Sequence, residues 1–343
     1  MRAIVFLCLA LVLPACSTFS PRAAEVPAGC YQNPVVERDT PDPFVLVHDG
    51  VFYCYATESG PPGFQVLESP DLVHWTHRGV ALVDPTASGH YWAPEVVERD
   101  GRFWMYYSIR NHASKQHDLC VAVADHPVGP FTRVGVLIPG APTPVKGEPE
   151  PCIGAIDSTV FRDDDGQTYL AYSQEAPRAI VMRPLDPSMT SLGAERVVLI
   201  RTDRDEEQGV VEAPTLLKRD GVYHLLYSAG PFQGRAGKHW YSVRHASAPS
   251  IRGPWTKSDR PVMQTIRYEI YGPGHQCVVT LPAVGDEPAQ DWLVYHAWDG
   301  DGAPMYGRNR IGRSLRIDRL RWVDGLPVTD GPTRNIQPAP AIR

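Results

Sequence analysis

The sequence has no apolar run long enough to cross a bilayer, no Cys-x-x-Cys pair and no block of basic residues. The apolar run Ala3 to Leu13 falls short of the roughly 20 residues that a membrane-spanning helix needs. Without a Cys-x-x-Cys spacing, neither a metal cluster nor a disulfide framework can be read from the cysteines. The net charge of -6 comes from mixed signs and argues against a nucleic-acid surface, so the expected ligand is uncharged or small. What is present is 343 residues, 43% hydrophobic and 21% charged, enough for a large core and too apolar for disorder. Thirty-four Pro and 29 Gly, spread evenly among aromatic strands, point to a turn-dense all-β protein.

The first sixteen residues read as a targeting segment. Arg2 precedes the apolar run, which ends in Leu13-Pro14-Ala15-Cys16. This resembles a bacterial lipoprotein signal, in which cleavage before the cysteine frees its thiol for lipidation. Pro14 departs from the usual residue there, which leaves simple secretion as the alternative. The expectation is an exported envelope protein, periplasmic or outer-membrane anchored through a lipid on Cys16, with residues 17–30 as a tether. Five cysteines follow, Cys30, Cys54, Cys120, Cys152 and Cys277. Cys54 and Cys120 lie in apolar strands and read as small buried hydrophobes.

A motif recurs along the chain: an acidic residue, a short apolar strand, a turn with Gly, then an aromatic strand ending in Tyr-Ser. The copies are WAPEVVERDGRFWMYYS from Trp92, IDSTVFRDDDGQTYLAYS from Ile156 and EAPTLLKRDGVYHLLYS from Glu212, with a looser PDPFVLVHDGVFYCYAT from Pro41. The turn glycines Gly50, Gly101, Gly166 and Gly221 stand 51, 65 and 55 residues apart, a spacing that suits a propeller blade.

A second element lies between these copies. QVLESPDLVHWT, VAVADHPVGPFT and VRHASAPSIRGPWT each run through a polar turn to an aromatic and Thr, and VMRPLDPSMTSL falls where a fourth should be. Each unit is therefore two hairpins, four strands in all. A fifth unit begins at GPGHQCVVTL, continues as DWLVYHAW and draws its outer strands from GRSLRIDRLRWVDGLPV, with His275 where the others carry an acid. The predicted architecture is a five-bladed β-propeller of four-stranded antiparallel blades around a central channel, a single domain over residues 31–343.

The innermost strand of each blade lines the channel, so acids that open the repeats converge on one axis. There they lose water and repel one another, which raises one carboxyl and leaves another low, the division that acid–base catalysis requires. Asp163 to Asp165 read instead as a solvated turn.

These residues carry a resemblance. Asp42 in TPDPF, Trp92 to Glu95 in WAPE, Asp157 in AIDSTVF, Glu212 in VEAP, His275 in GPGH, then YHAW and IGRSLRIDRLRW, are similar to glycoside hydrolase family 43 from Asn33 to about Val328. The resemblance implies a propeller of inverting glycosidases acting on arabinose- and xylose-containing plant polysaccharides. It implies Asp42 as general base, Glu212 as general acid and Asp157 as the residue that tunes the acid. Inversion needs a base on one face of the sugar and an acid on the other, roughly 6.5–9.5 Å apart, and opposite sides of a channel supply that gap.

Trp92 is placed to stack on a sugar face or to fill the core. Glu95 matches a family position without a catalytic role and reads as structural or as a hydroxyl ligand. The resemblance places Arg313 at the active site, although Arg308, Arg310, Arg316 and Arg319 leave the register open, and it allows a metal ion or ordered waters near His275. One His without a carboxylate partner by spacing does not specify a metal, so a buried hydrogen-bonded histidine is expected, and no cofactor is expected for the chemistry. The expected substrate is an arabinan, arabinoxylan or xylo-oligosaccharide cleaved by an exo-acting α-L-arabinofuranosidase. A β-D-xylosidase and a non-catalytic glycan-binding propeller are the alternatives.

Overall fold

The computed structural model describes residues 26–60, 62–140, 154–232, 241–267, 269–299 and 312–342. The targeting segment with Cys16, the tether as far as residue 25, and Cys152, Arg308 and Arg310 lie outside the described residues. The four described cysteines are free, and Cys54 and Cys120 are fully buried in strands.

Five antiparallel sheets form a ring, with the chain running from the inner strand of each blade outward. Blade I comprises Phe44–His48, Val51–Ala56, Phe64–Ser69 and Thr76–Leu82. Blade II comprises Trp92–Arg99, Arg102–Arg110, His117–Ala124 and Thr132–Ile138. Ala155–Arg162, Thr168–Gln174, Ala179–Pro184 and Val197–Arg201 make blade III. Blade IV is built from Val211–Arg219, Val222–Ala229, Ser242–Ala248 and the two-residue strand Thr256–Lys257. Each glycine turn of the repeat closes the inner hairpin, as the spacing predicts.

Blade V differs from the sequence reading. Ile270–Leu281, Gln290–Asp299 and Arg313–Val323 are its first three strands, but its fourth place is shared. Val36–Asp39, from before blade I, pairs with one end of Arg313–Val323, and Leu326–Thr329 pairs with the other. The short VERD strand carries little apolar pattern of its own, which is why its partner could not be read locally. A further pairing, Cys30–Tyr31 with Gln337–Pro338, ties the two ends of the chain.

The core is divided. Its five apolar clusters each join two adjacent blades, as where Phe64 and Tyr55 of blade I meet Tyr107 and Met105 of blade II. Burial of both faces of each sheet explains the long apolar runs, and it leaves the axis free for polar side chains. Asn33 stitches the closing seam: its Nδ2 donates to the Ile317 carbonyl at 2.7 Å and its Oδ1 accepts the Ile317 N–H at 3.0 Å.

Asn33→Ala should orphan the buried N–H of Ile317, leave its carbonyl only the Tyr31 hydroxyl, and lower stability by about 2 kcal/mol. Urea unfolding would show this as a reduced midpoint at constant m-value.

Candidate active site

The backbone places the site. In each blade one residue of the inner segment has a positive φ: Asp42 (53°), Ala93 (46°), Asp157 (53°), Ala213 (53°) and His275 (47°). Such angles are costly outside Gly, and neighbouring blades hold four of the five. The N–H of Ala93 donates to Thr57 Oγ1 at 2.9 Å, that of Ala213 to Ser173 Oγ at 3.0 Å and that of His275 to Ser228 Oγ at 2.8 Å. The N–H of Asp42 donates to His296 Nδ1 at 2.9 Å. The residue that ends the repeat is therefore a latch at four of the five junctions, whereas Ser108 Oγ faces the Ala155 carbonyl at 3.5 Å. Register shifts between Trp92 and Glu95, Ile156 and Thr159, Glu212 and Thr215, and Gly274 and Cys277 re-aim side chains toward the axis.

This register corrects the equivalence of the opening acids. Asp42 and Asp157 occupy the positive-φ position, Glu212 stands one residue before it, as Trp92 does, and Glu95 stands two residues after Ala93. Asp42, Asp157 and Glu212 nevertheless reach one cavity of about 360 Å³, shared with Trp92, Glu175, Arg178, Tyr241, Phe232, His275 and Arg313. Glu95 does not line it. Glu95 is buried in the wall, accepts the Val160 N–H at 2.6 Å, and burial raises its carboxyl to about 8, so it serves the II–III junction.

Asp42 is set up as an anion. Its Oδ2 accepts from the Thr57 hydroxyl at 2.6 Å and its Oδ1 from Arg313 Nη1 at 3.0 Å. Burial alone would raise this carboxyl, but Arg313, His275, His296 and the Thr57 bond outweigh it and hold Asp42 well below the usual range. Burial lowers both histidines, His296 the more strongly, so Arg313 is the standing charge near neutral pH. His296 Nδ1 accepts the Asp42 N–H and so carries no proton there, which makes its 3.3 Å approach to Oδ1 a packing contact.

The other two carboxyls behave oppositely. Burial, then Glu212 and Asp42, push Asp157 well above the ordinary aspartate range. Burial also raises Glu212, against Arg178 Nη1 on its Oε2 at 3.1 Å and the Tyr241 hydroxyl on its Oε1 at 2.9 Å. Two adjacent buried carboxyls cannot both ionise cheaply, so the pair keeps a proton near neutrality. In this free state Asp157 has the stronger hold on it, because Arg178 and Tyr241 favour the Glu212 anion. The site thus combines a permanent carboxylate with a protonated pair, the equipment for moving one proton off water and another onto a leaving group.

The family model for glycosyl hydrolases family 43 matches residues 31–327. The chain belongs to that family. A thermostable family-43 glycoside hydrolase of known structure superposes with a TM-score of 0.78 at 29% identity, over 91% of this chain and 100% of the other. The extracellular exo-α-(1→5)-L-arabinofuranosidase ArbA of Cellvibrio japonicus is 25% identical, over 85% of this chain and 86% of its own length. A β-xylosidase of Bacillus subtilis strain 168 is 24% identical over 87% of this chain. The chain spans 56% of the length of that Bacillus protein and 50% of that of a relative from Xylanibacter ruminicola.

Within this family-43 propeller the remaining expected residues fall as follows. Arg313 is the arginine on Asp42, whereas Arg316 is buried against Asp299 and Arg319 covers the Trp292 ring. His275 Nδ1 lies 3.3 Å from Asp42 Oδ1, and among the described residues no group of three or more His, Cys, Asp or Glu could hold a metal. Trp92 lines the cavity but already stacks on His90, 4.5 Å between centroids, and packs on His117 at 4.4 Å. Asp163 is less solvated than its turn suggests, since it pairs with Lys218 at 2.8 Å and accepts the Tyr223 hydroxyl at 2.7 Å.

Sequence reasoning missed Arg178, Tyr241, Glu175 and His296. His296 had a signal, because YHAW puts His where the other blades end in Ser or Thr. Gly274 carried another: a Cβ there would sit 2.2 Å from the Tyr241 ring, so glycine lets that ring reach Glu212.

Arg313→Met should let Asp42 titrate at higher pH, by about 1 to 3 units. The depressed carboxyl of the unmodified protein adds stability above the unfolded aspartate pKa and loses it only as pH falls through the lower folded value. The variant should therefore lose stability near neutrality and depend less on acid. Carboxyl carbon NMR titration and denaturation at two pH values check both.

Proposed function

We propose that the chain is an inverting glycosidase whose preferred substrate is a terminal α-L-arabinofuranoside, with Asp42 as base, Glu212 as acid and Asp157 as the residue that keeps a proton available to the acid. The observation that carries this reading is the division of charge among three carboxyls in one cavity. Asp42 is held ionised by Arg313, while Asp157 and Glu212 retain a proton.

In the proposed reaction Asp42 takes a proton from a water as its oxygen attacks the anomeric carbon. The bond from that carbon to the glycosidic oxygen breaks, and Glu212 supplies the proton that this oxygen takes up. The two carboxyls exchange that proton with solvent after the products leave. Arg313 keeps Asp42 ionised until Asp42 takes the water's proton, and the cavity's polar side chains offer bonds to sugar hydroxyls. Similarity to ArbA supports the arabinofuranoside, and similarity to the Bacillus β-xylosidase supports β-D-xylosides as the second reading. No cofactor enters this scheme. Export and a lipid on Cys16 complete the proposal.

Asp42→Ala and Glu212→Ala should each reduce turnover of arabino-oligosaccharides by on the order of 10²–10⁴-fold. Glu212→Ala should keep much of its activity on an aryl arabinofuranoside with a strongly acidic phenol, whereas Asp42→Ala should not. If either variant kept near-normal turnover of the oligosaccharide, the assignment would fail. Parallel assays with aryl α-L-arabinofuranoside and aryl β-D-xyloside decide between the two sugars, and glycan binding without release from any glycoside would favour a non-catalytic propeller. Metabolic labelling with a fatty-acid analogue, lost in Cys16→Ser, tests the anchor.

A further inference from the structure

Both oxygens of the Glu212 carboxyl are occupied in the free protein, and this conflicts with donating a proton. Arg178 has only N–H donors, so a guanidinium 3.1 Å from Oε2 favours the anion and offers no acceptor to a proton there. A proton on Oε1 would have to displace the hydrogen bond that the Tyr241 hydroxyl gives there at 2.9 Å. Arg178 is therefore a lock on the acid. It is a lock placed in the sugar's path: Arg178 lines the cavity, and its side chain is 30% exposed against 13% for Glu212.

A second seat for the cation lies beside the first. Glu175 lines the same cavity, and Arg178 is close enough to favour its carboxylate. Glu175 is fixed from behind. Its Oε2 accepts from His117 Nδ1 at 3.0 Å, His117 Nε2 faces His90 Nδ1 at 3.1 Å, and Trp92 packs on both rings. With Nδ1–H of His117 given to Glu175, Nε2 is the acceptor and His90 the donor, so the pair forms one directed chain. Gly154 leaves room for the carboxylate, since a Cβ there would lie 2.0 Å from Glu175 Oε2.

We propose that Arg178 is a two-position cation, seated on Glu212 in the free protein and handed to Glu175 when a sugar enters, which converts Glu212 from an anion into a proton donor. This rests on Glu212 being the general acid. The driving contact is the glycosidic oxygen, which takes the place of the guanidinium on Oε2 and makes a bond there that only the protonated acid can give, its proton being the one that the Asp157–Glu212 pair retains. Arg178 and Glu175 are positioning residues. The other charged or titratable groups facing Glu212 are Asp157 from blade III, Asp42 from blade I, Tyr241 from the segment before Ser242, and His275 and Arg313 from blade V. Arg313 is bound to Asp42, and His275 lies beside it, so neither can substitute for the moving cation.

The signs are opposite for the two residues. Activity falls as pH rises through the acid's pKa, in kcat/KM for the free protein and in kcat for the complex. Arg178→Gln should move the alkaline limb of kcat/KM up by about one pH unit, since it removes an opposite charge from the free carboxyl. Glu175→Gln should move the alkaline limb of kcat down by more than that of kcat/KM. Loss of the Glu175 charge lowers both limbs alike, and only in the complex does the cation also lack its second seat and stay near Glu212. Arg178→Lys should restore the limb of kcat/KM toward its original position, and all shifts should shrink with an aryl glycoside whose phenol needs no proton. Carboxyl carbon titration of the free protein gives a readout without turnover, in which Arg178→Gln raises Glu212. Shifts of the same sign for both variants, or none in a folded protein, would overturn the two-position cation. Oligosaccharide turnover surviving Glu212→Ala would instead overturn the acid assignment beneath it.

Discussion

The latch between blades is the constraint from which the site follows. A hydroxyl or imidazole at the end of one blade's second strand holds the N–H of a positive-φ residue in the next. That backbone conformation costs free energy of order 1–3 kcal/mol at each position, and no blade alone offers the partner that stabilises it. Because Asp42 is itself a latched residue and Glu212 directly precedes one, the same bonds that align the blades also aim these two carboxyls into the cavity that Asp157 shares. Blade alignment and carboxyl placement are one interaction viewed at two scales.

The polar axis depends on where the apolar residues go. A ring whose core is divided among five junctions needs no hydrophobic centre, and the space left there can hold ionisable groups with specific partners. The fate of each group depends on that partner. Asp42 has a guanidinium that stays, Glu212 has one exposed to the cavity, and Asp157 has two repelling neighbours that outweigh the pull of Arg178 and a backbone N–H. Burial is common to all three, so it cannot distinguish them. The partners do.

Much of this was readable in the chain. The period of the glycine turns, the two hairpins per unit and the Tyr-Ser endings gave the blades, since each is a local pattern. The three carboxyls were legible because acids lead apolar strands where a solvated turn would not put them. Their offsets were not, although Pro43, Pro94 and Pro214 mark a common register once the positive-φ residues before them are known. Arg178 and Glu175 flank a turn at the cavity end of blade III, and nothing local separates them from surface charges. Val36–Asp39 was invisible as a blade strand for another reason: its partner is nearly 280 residues away, and the pairing is decided by ring closure.

That closure also decides when the site exists. Asp42 comes near the start of the described chain and its Arg313 near the end, so the cavity is incomplete during synthesis until the last blade has docked. Any partial opening of the seam between blades V and I would separate Asp42 from its cation. Four blades would still be standing. The working state of the protein is thus less stable than its fold, and loss of function on warming would precede loss of secondary structure.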